Sequence, residues 1–364
     1  MISDYLISMR PKTGLPKRRA LRTMPIFESG HNNNPNVELR RETDNRPTHP
    51  HTVVSMFSGC GGFDLGAEGG FSFLDQYFPT LPFKVVAAYD NDEKACETYA
   101  INLGEQIECV DLTRHPKEAM PEADILIGGF PCQDFSSCGP KTGLDGDRGR
   151  LYMVMAQYMR THKPKVVIAE NVPFFLKLQN GAIAAEVLAE FRDCGYEFDV
   201  WQVYCPDYGL PQSRTRIFLV GYDKSLPVIV APEQPTPTHV FFPNSIDMAI
   251  EDLELVADES VPNQSQYFVA TKATAGAGQG DQTSIRGNLG YAVRANPKAR
   301  VHFHYSLERR LTVRETARLQ SFPDEFVFPH ATSKNFMEIG NAVPPIIGHV
   351  IMKQIQAFFD ANNL

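Results

Sequence analysis

From residue 51 the chain alternates short apolar runs with stretches of helical character, and each early run stops at a glycine or an acidic residue. Val53-Val54-Ser55-Met56-Phe57 is followed by glycines and a helix near residues 63–68. Lys84-Val85-Val86-Ala87-Ala88-Tyr89 ends at Asp90, and a helix follows near 92–103. Short strands are expected near 107–110 and 125–127, then a helix near 150–159 before Lys165-Val166-Val167-Ile168-Ala169. Another helix near 182–194 precedes two strands, 198–204 and 215–220, with no helix between them. Alternation of this kind predicts an α/β fold, a mostly parallel sheet covered on both faces. The last two strands then form an antiparallel pair. Residues 69–82 read as an insert, and residues 345–359 as a closing helix opened by Pro344-Pro345.

Such a sheet binds ligands beyond the carboxyl ends of its strands. There the sequence places Gly128-Gly129-Phe130-Pro131-Cys132-Gln133, directly after the run Ala123-Asp124-Ile125-Leu126-Ile127. Pro131 stiffens the backbone before the cysteine, and the glycines allow close approach of a ligand. A thiol presented this way suits a nucleophile; a buried core cysteine is the alternative. The first loop, Phe57-Ser58-Gly59-Cys60-Gly61-Gly62-Phe63, joins a strand to a helix in the manner of a nucleotide site. Its spacing is not GxGxxG and no Lys-Ser/Thr follows, so it suits neither a dinucleotide nor a triphosphate. Asp90 suits ribose hydroxyls and Asp111 an adenine amino group; each is otherwise a helix N-cap. Glu170-Asn171-Val172 ends the fifth strand, next to the Cys132 strand, where burial favours a protonated carboxyl able to donate to a ring nitrogen. A structural acceptor is the other reading of Glu170. Gln212-Ser213-Arg214-Thr215-Arg216 places two guanidiniums on one strand face by period-two spacing, for a phosphate, a base carbonyl or a surface ion-pair ladder. Thr312 and Glu315 form a capping box before a helix to Gln320.

Composition bounds the setting. The 364 residues are 43% hydrophobic, enough for two domains or one large domain with an insert. No run of about 18 apolar residues predicts a membrane span, and the amino terminus lacks the apolar stretch of a signal peptide. Seven cysteines without CxxC spacing argue against a disulfide framework or a zinc cluster, so no metal is expected and the compartment is reducing. Net charge is −8, yet residues 1–50 hold nine Lys and Arg against five Asp and Glu. That stretch reads as a flexible basic arm or a solvated tail. The organisation expected is the arm (1–50), a catalytic domain (51–228), a small domain with its hinge (229–330) and a returning helix (331–364). Within the small domain Tyr291-Ala292-Val293-Arg294 reads as a short strand.

Taken in order, these motifs resemble those of the DNA (cytosine-5)-methyltransferases. The matching blocks are Phe57–Gly62, Gly129–Gln133, Glu170–Val172, Gln212–Arg216, Arg310–Gln320 and Gly340-Asn341-Ala342-Val343-Pro344, spread over about residues 52–225 and 306–361. The resemblance implies a Rossmann-like S-adenosylmethionine-dependent sheet with an inserted target-recognition domain. It implies that Cys132 attacks C6 of a flipped-out cytosine while Glu170 holds N4 and protonates N3. Arg216 would contact the base and Arg214 support it. Phe57, Gly59, Cys60, Gly61, Gly62, Asp90, Asn91, Asp111, Leu112, Pro131, Leu151, Asn341 and Val343 would surround S-adenosylmethionine. The glycine-rich stretch 133–150 would close over DNA. Gln133, Lys272, Arg286, Arg294 and Arg300 are candidate contacts to double-stranded DNA. Asp90 and Asn91 stand where the family often carries Glu and a bulky residue. The expected protein is a cytoplasmic, nucleoid-associated monomer, the modification half of a restriction–modification system, with a cognate endonuclease encoded alongside and no stable complex between them. A tRNA cytosine-5 methyltransferase and a non-catalytic DNA-binding protein are the alternatives.

Overall fold

The computed structural model describes residues 49–131, 151–254, 281–295 and 301–364. In chain order the elements run β1 (His51–Met56), α1 (Gly62–Glu68), β2 (Phe71–Phe73), β3 (Gln76–Phe78), β4 (Phe83–Asp90), α2 (Glu93–Leu103), β5 (Ile107–Cys109) and β6 (Ile125–Gly128). There follow α3 (Leu151–His162), β7 (Val166–Asn171), α4 (Ala182–Asp193), β8 (Tyr196–Tyr204), β9 (Gln212–Ser213) and β10 (Thr215–Asp223). The remainder holds α5 (Ile246–Ile250), β11 (Gln282–Thr283), β12 (Gly290–Tyr291), β13 (His302–Phe303), α6 (Val313–Leu319), α7 (Thr332–Asn341) and α8 (Pro345–Asn362).

Seven strands form one sheet in the order β5-β4-β1-β6-β7-β10-β8. All neighbours are parallel except the two pairings of β10, which is antiparallel to both β7 and β8. The chain therefore winds outward from β1 in both directions, and the switch point lies between β1 and β6. Period-two alternation splits the apolar strand residues between two cores. Val53, Ile125, Ile127 and Phe218 pack under α1, α2 and α8, whereas Val54, Leu126, Val167 and Leu219 pack under α3 and α4. Both faces are buried, which is why these runs are continuously apolar.

The helix α8 carries the chain back to its start. Phe359 stacks on His51 with ring centroids 4.4 Å apart, and Asn362 Oδ1 accepts from Ile229 N at 2.6 Å. A third apolar cluster joins Ile246 and Ile250 of α5, Val313 and Leu319 of α6, Phe322, Phe326, Phe328 and Ile339 of α7. Thr312 and Glu315 make the expected capping box, with Arg309 closing on Glu315 at 2.7 and 2.8 Å.

Residues 69–82, the expected insert, hold a short hairpin of β2 and β3 in which Phe71 and Phe78 stack. Two expectations change. The strand expected over 291–294 is confined to Gly290 and Tyr291, paired with Gln212 and Ser213. Two helices, not one, fill residues 331–364, and Gly340–Pro344 joins them.

Candidate functional site

The register of the sheet assembles the site. Tyr89, Met56, Gly128 and Ala169 lie side by side across β4, β1, β6 and β7. One step further along each strand brings Asp90, Phe57, Gly129 and Glu170 to the same carboxyl edge, and β10 enters opposite Asn171 with Arg216 just before Ile217. A cavity of about 370 Å³ opens there.

Its floor is the loop after β1. Phe57 and Gly59 both take positive φ, 56° each, so the chain turns sharply and exposes its backbone. Gly59 N donates to Asp90 Oδ2 at 2.8 Å, and Asp92 N donates to Asp90 Oδ1 at 2.9 Å. Asp90 thus locks the loop while lining the cavity, and burial pushes its carboxyl upward. A Cβ at Gly59 would meet nothing within 4 Å and would project into open space. Gly61 and Gly62 also meet close packing. Gly61 caps α1 at φ 88°, and a Cβ on Gly62 would lie 2.4 Å from the Val343 carbonyl oxygen.

Glu170 forms the far wall. Its Oε1 sits 2.7 Å from Arg216 Nε, with the two side chains 12% and 15% exposed. Burial raises the Glu170 pKa, opposed by Arg216 and Arg214. A Cβ on Gly129 would stand 3.1 Å from Glu170 Oε2, so glycine there lets the carboxyl press against the loop. Asn171 Nδ2 donates to the Phe130 carbonyl at 3.0 Å, tying the end of β7 to the segment that leads through Pro131 to Cys132.

Arg214 stands between β9 and β10 with its side chain buried, 2% exposed. Its Nη1 donates to the Val293 carbonyl at 2.8 Å, and Nη2 to those of Gly340 and Ala342 at 2.9 and 3.1 Å. Gln212 extends this buried bridge: its Nε2 donates to Gln320 Oε1 at 2.6 Å, and Gln320 Nε2 to Ala342 O at 2.6 Å. The arrangement makes Arg214 a positioning residue for the Gly340–Val343 wall.

Of the residues expected around a cofactor, Phe57, Gly59, Cys60, Asp90, Asn91, Pro131, Asn341 and Val343 line the cavity. Asp111 is exposed and accepts from Thr113 N at 3.0 Å and Thr113 Oγ1 at 2.7 Å, closing a local turn with no helix behind it. Leu112 is buried in the core under α3, and Leu151 packs against that core. Arg286 is bound to Glu251, lies 3.8 Å from Glu254 and stacks over Tyr305 at 5.4 Å. Arg294 is exposed, and its carbonyl carbon would stand 2.3 Å from a Cβ on Gly340. Cys132, Gln133, Lys272, Arg300 and the stretch 133–150 lie outside the described residues.

Lys334, Met337 and Glu338 of α7 also line the cavity, and sequence reasoning missed them. Their signal was the amphipathic run just before Gly340. The described lining holds five carboxyls, Asp64, Asp90, Asp92, Glu170 and Glu338, against two cations, Arg216 and Lys334. Arg216 pairs with Glu170 and Lys334 with Asp92. The open glycine floor suits a ligand that lies against backbone, and the Asp90 carboxyl at the end of β4 offers it an acceptor. Both fit S-adenosylmethionine. Among the described residues no three His, Cys, Asp or Glu side chains converge as metal ligands would, and no helix is long and apolar enough to cross a membrane.

Comparison with known proteins agrees with this geometry. The model of the C-5 cytosine-specific DNA methylase family matches residues 51–285 and 248–357. The Type II methyltransferase M.NgoFVII of Neisseria gonorrhoeae is 29% identical over 348 residues, covering 87% of this chain and 90% of that protein. The Type II methyltransferase M1.HphI of Haemophilus parahaemolyticus is 30% identical over 339 residues, covering 84% and 86%. Among solved structures, a chain encoded within an E. coli prophage aligns with TM-score 0.64 at 23% identity, covering 85% of this chain and 99% of that one. S. pombe Dnmt2 methyltransferase aligns with TM-score 0.63 at 18% identity, covering 86% and 100%. From its sheet edge to its returning helix, this chain belongs to the C-5 cytosine-specific DNA methylase family.

Proposed function

We propose that the chain methylates C5 of a cytosine within a specific double-stranded DNA sequence, as the modification enzyme of a restriction–modification system. The observation that carries the reading is the Glu170–Arg216 pair at 2.7 Å, set beside Gly129 on the loop that leads to Cys132. Phe57, Gly59, Cys60, Asp90, Asn91, Asn341 and Val343 would hold S-adenosylmethionine, which supplies the electrophilic methyl group that C5 accepts.

The protein's own residues do the rest. The target cytosine swings out of the duplex. Glu170, whose carboxyl burial pushes upward against the pull of Arg216 and Arg214, protonates N3 and accepts from the N4 amino group. Arg216 holds the Glu170 carboxyl in place and reaches the base. The Cys132 thiolate adds to C6, forming a C–S bond and making C5 nucleophilic. After C5 is methylated a solvent base takes its proton, the C6–S bond breaks to expel the Cys132 thiolate, N3 returns its proton to Glu170, and 5-methylcytosine is released. Arg214 keeps the Asn341 wall in register. The Type II names of the relatives support a partner endonuclease that cuts the same sequence without a stable complex. The enzyme acts as a monomer in the cytoplasm.

Bisulfite sequencing of DNA from cells expressing the chain, beside a Cys132→Ala control, tests this. Protected cytosines in one short motif, absent from the control, are expected. Unprotected DNA, with the protein soluble and S-adenosylmethionine bound, would overturn the DNA reading in favour of an RNA substrate or a non-catalytic binder.

A further inference from the structure

We propose that Glu338 is a charge-selecting residue of the cofactor site, whose carboxylate favours the sulfonium-bearing cofactor over its demethylated product. The inference rests on the reading that this cavity holds S-adenosylmethionine.

Glu338 lies in the last turns of α7, lines the cavity, and has a side chain only 2% exposed. Its Oε2 accepts from Thr98 Oγ1 of α2 at 2.7 Å. Its Oε1 is buried and makes no hydrogen bond among the described residues. Its backbone carbonyl accepts from the Cys60 thiol at 3.8 Å. One residue thereby touches α2 and the glycine loop, two other walls of the cavity.

Two basic groups stand near Oε1 at ion-pair distance without hydrogen-bonding it. Lys334 Nζ is 3.9 Å from Oε1 but is committed to Asp92. His330 Nε2 is 4.0 Å away and is shared with the Lys94 carbonyl and Glu97. Asp92 adds negative charge and Lys94 positive charge from the start of α2, while Asp90 and Asp64 face the same cavity. A buried charge left this way acts over longer distances than an exposed one.

The two ligands at issue, S-adenosylmethionine and S-adenosylhomocysteine, differ by one methyl group and one positive charge on sulfur. A wall carboxylate acts on that difference. Burial pushes the Glu338 carboxyl up to about 7, opposed by Thr98 and Lys334. Selectivity for the charged ligand therefore switches on as pH rises through neutrality. Asp64, pushed up to about 7 behind Ser55, titrates over the same range, and Glu338→Gln separates the two.

Calorimetric titration of both ligands into the full chain, at about pH 6 and about pH 8, tests the proposal. The preference for S-adenosylmethionine over S-adenosylhomocysteine is expected to rise about fivefold in the wild type, the scale of one screened charge pair in a partly solvated cleft. Glu338→Gln, which keeps shape and the Thr98 bond, should lose most of that rise and bind both ligands within about twofold of wild type at the lower pH. A variant that weakens both ligands equally at both pH values would show a merely structural role and overturn the proposal. So would a wild-type preference that does not change with pH, whatever the variant does. Failure of the wild type to bind either ligand would overturn the cofactor reading itself.

Discussion

Arg214→Lys separates a structural bridge from a group that works on the substrate. The guanidinium donates to three buried carbonyls, at Val293, Gly340 and Ala342. A lysine ammonium on a shorter stem reaches one of them, so two of the three bonds are lost, although Ala342 O keeps its bond from Gln320 Nε2. At about 1.5–2 kcal/mol for each lost bond from a charged donor, the cost is about 3–4 kcal/mol. Total stability is on the order of 10 kcal/mol, so the variant still folds. With a urea slope of about 3 kcal/mol per molar, the unfolding midpoint should drop by about 1 M. Trp201 reports this directly, being the chain's one tryptophan and 1% exposed. Because Asn341 and Val343 line the cavity, loosening their wall should also raise the Kd for S-adenosylhomocysteine by about tenfold. An unchanged midpoint and unchanged affinity, with kcat nonetheless collapsed, would place Arg214 on the substrate and refute the bridging argument.

Gly59→Ala puts a methyl group into the cavity at φ 56°; its cofactor Kd should rise at least about tenfold for only about 1–2 kcal/mol of stability. Gly62→Ala should do the reverse, losing about 3 kcal/mol in thermal unfolding because its Cβ meets the Val343 carbonyl at 2.4 Å; an unaltered Tm would contradict the packing role. Glu170→Gln keeps the shape of the side chain but removes its acid, so kcat should fall at least about a hundredfold while target DNA affinity stays within about twofold. Single-turnover methylation near the wild-type rate would contradict that role. Burial raises the Asp64 carboxyl from 3.8 to about 7, so the native state holds this proton more tightly than the unfolded chain. That contribution to stability is complete below about pH 4 and is lost as pH rises through about 7, amounting to at most about 4 kcal/mol. Asp64→Asn, which retains an acceptor for Ser55 Oγ, should flatten the urea midpoint across that window, and an unchanged slope would assign it to other groups.

Much of the fold was legible because it rests on local rules. Period-two alternation distributes Val53 and Val54 to opposite cores. Glycine at 59 answers a positive φ, and Thr312 with Glu315 cap α6 three residues apart. The motifs at Glu170 and Arg216 were readable for the same reason: each ends or begins a strand, and strand ends meet at one edge of a parallel sheet.

The sequence by itself determined the doubly covered sheet, the edge where chemistry gathers and the family to which the chain belongs. It did not separate Arg214, spent on three backbone carbonyls, from Arg216, paired with the Glu170 carboxyl, because both stand in one short motif. It gave no hint that Gly62 is glycine for the sake of Val343, or that Glu338 meets Thr98 across 240 residues of chain. Those assignments belong to the tertiary structure. A side chain's role in the cavity depends on which distant backbone it packs against, and no local spacing encodes that distance.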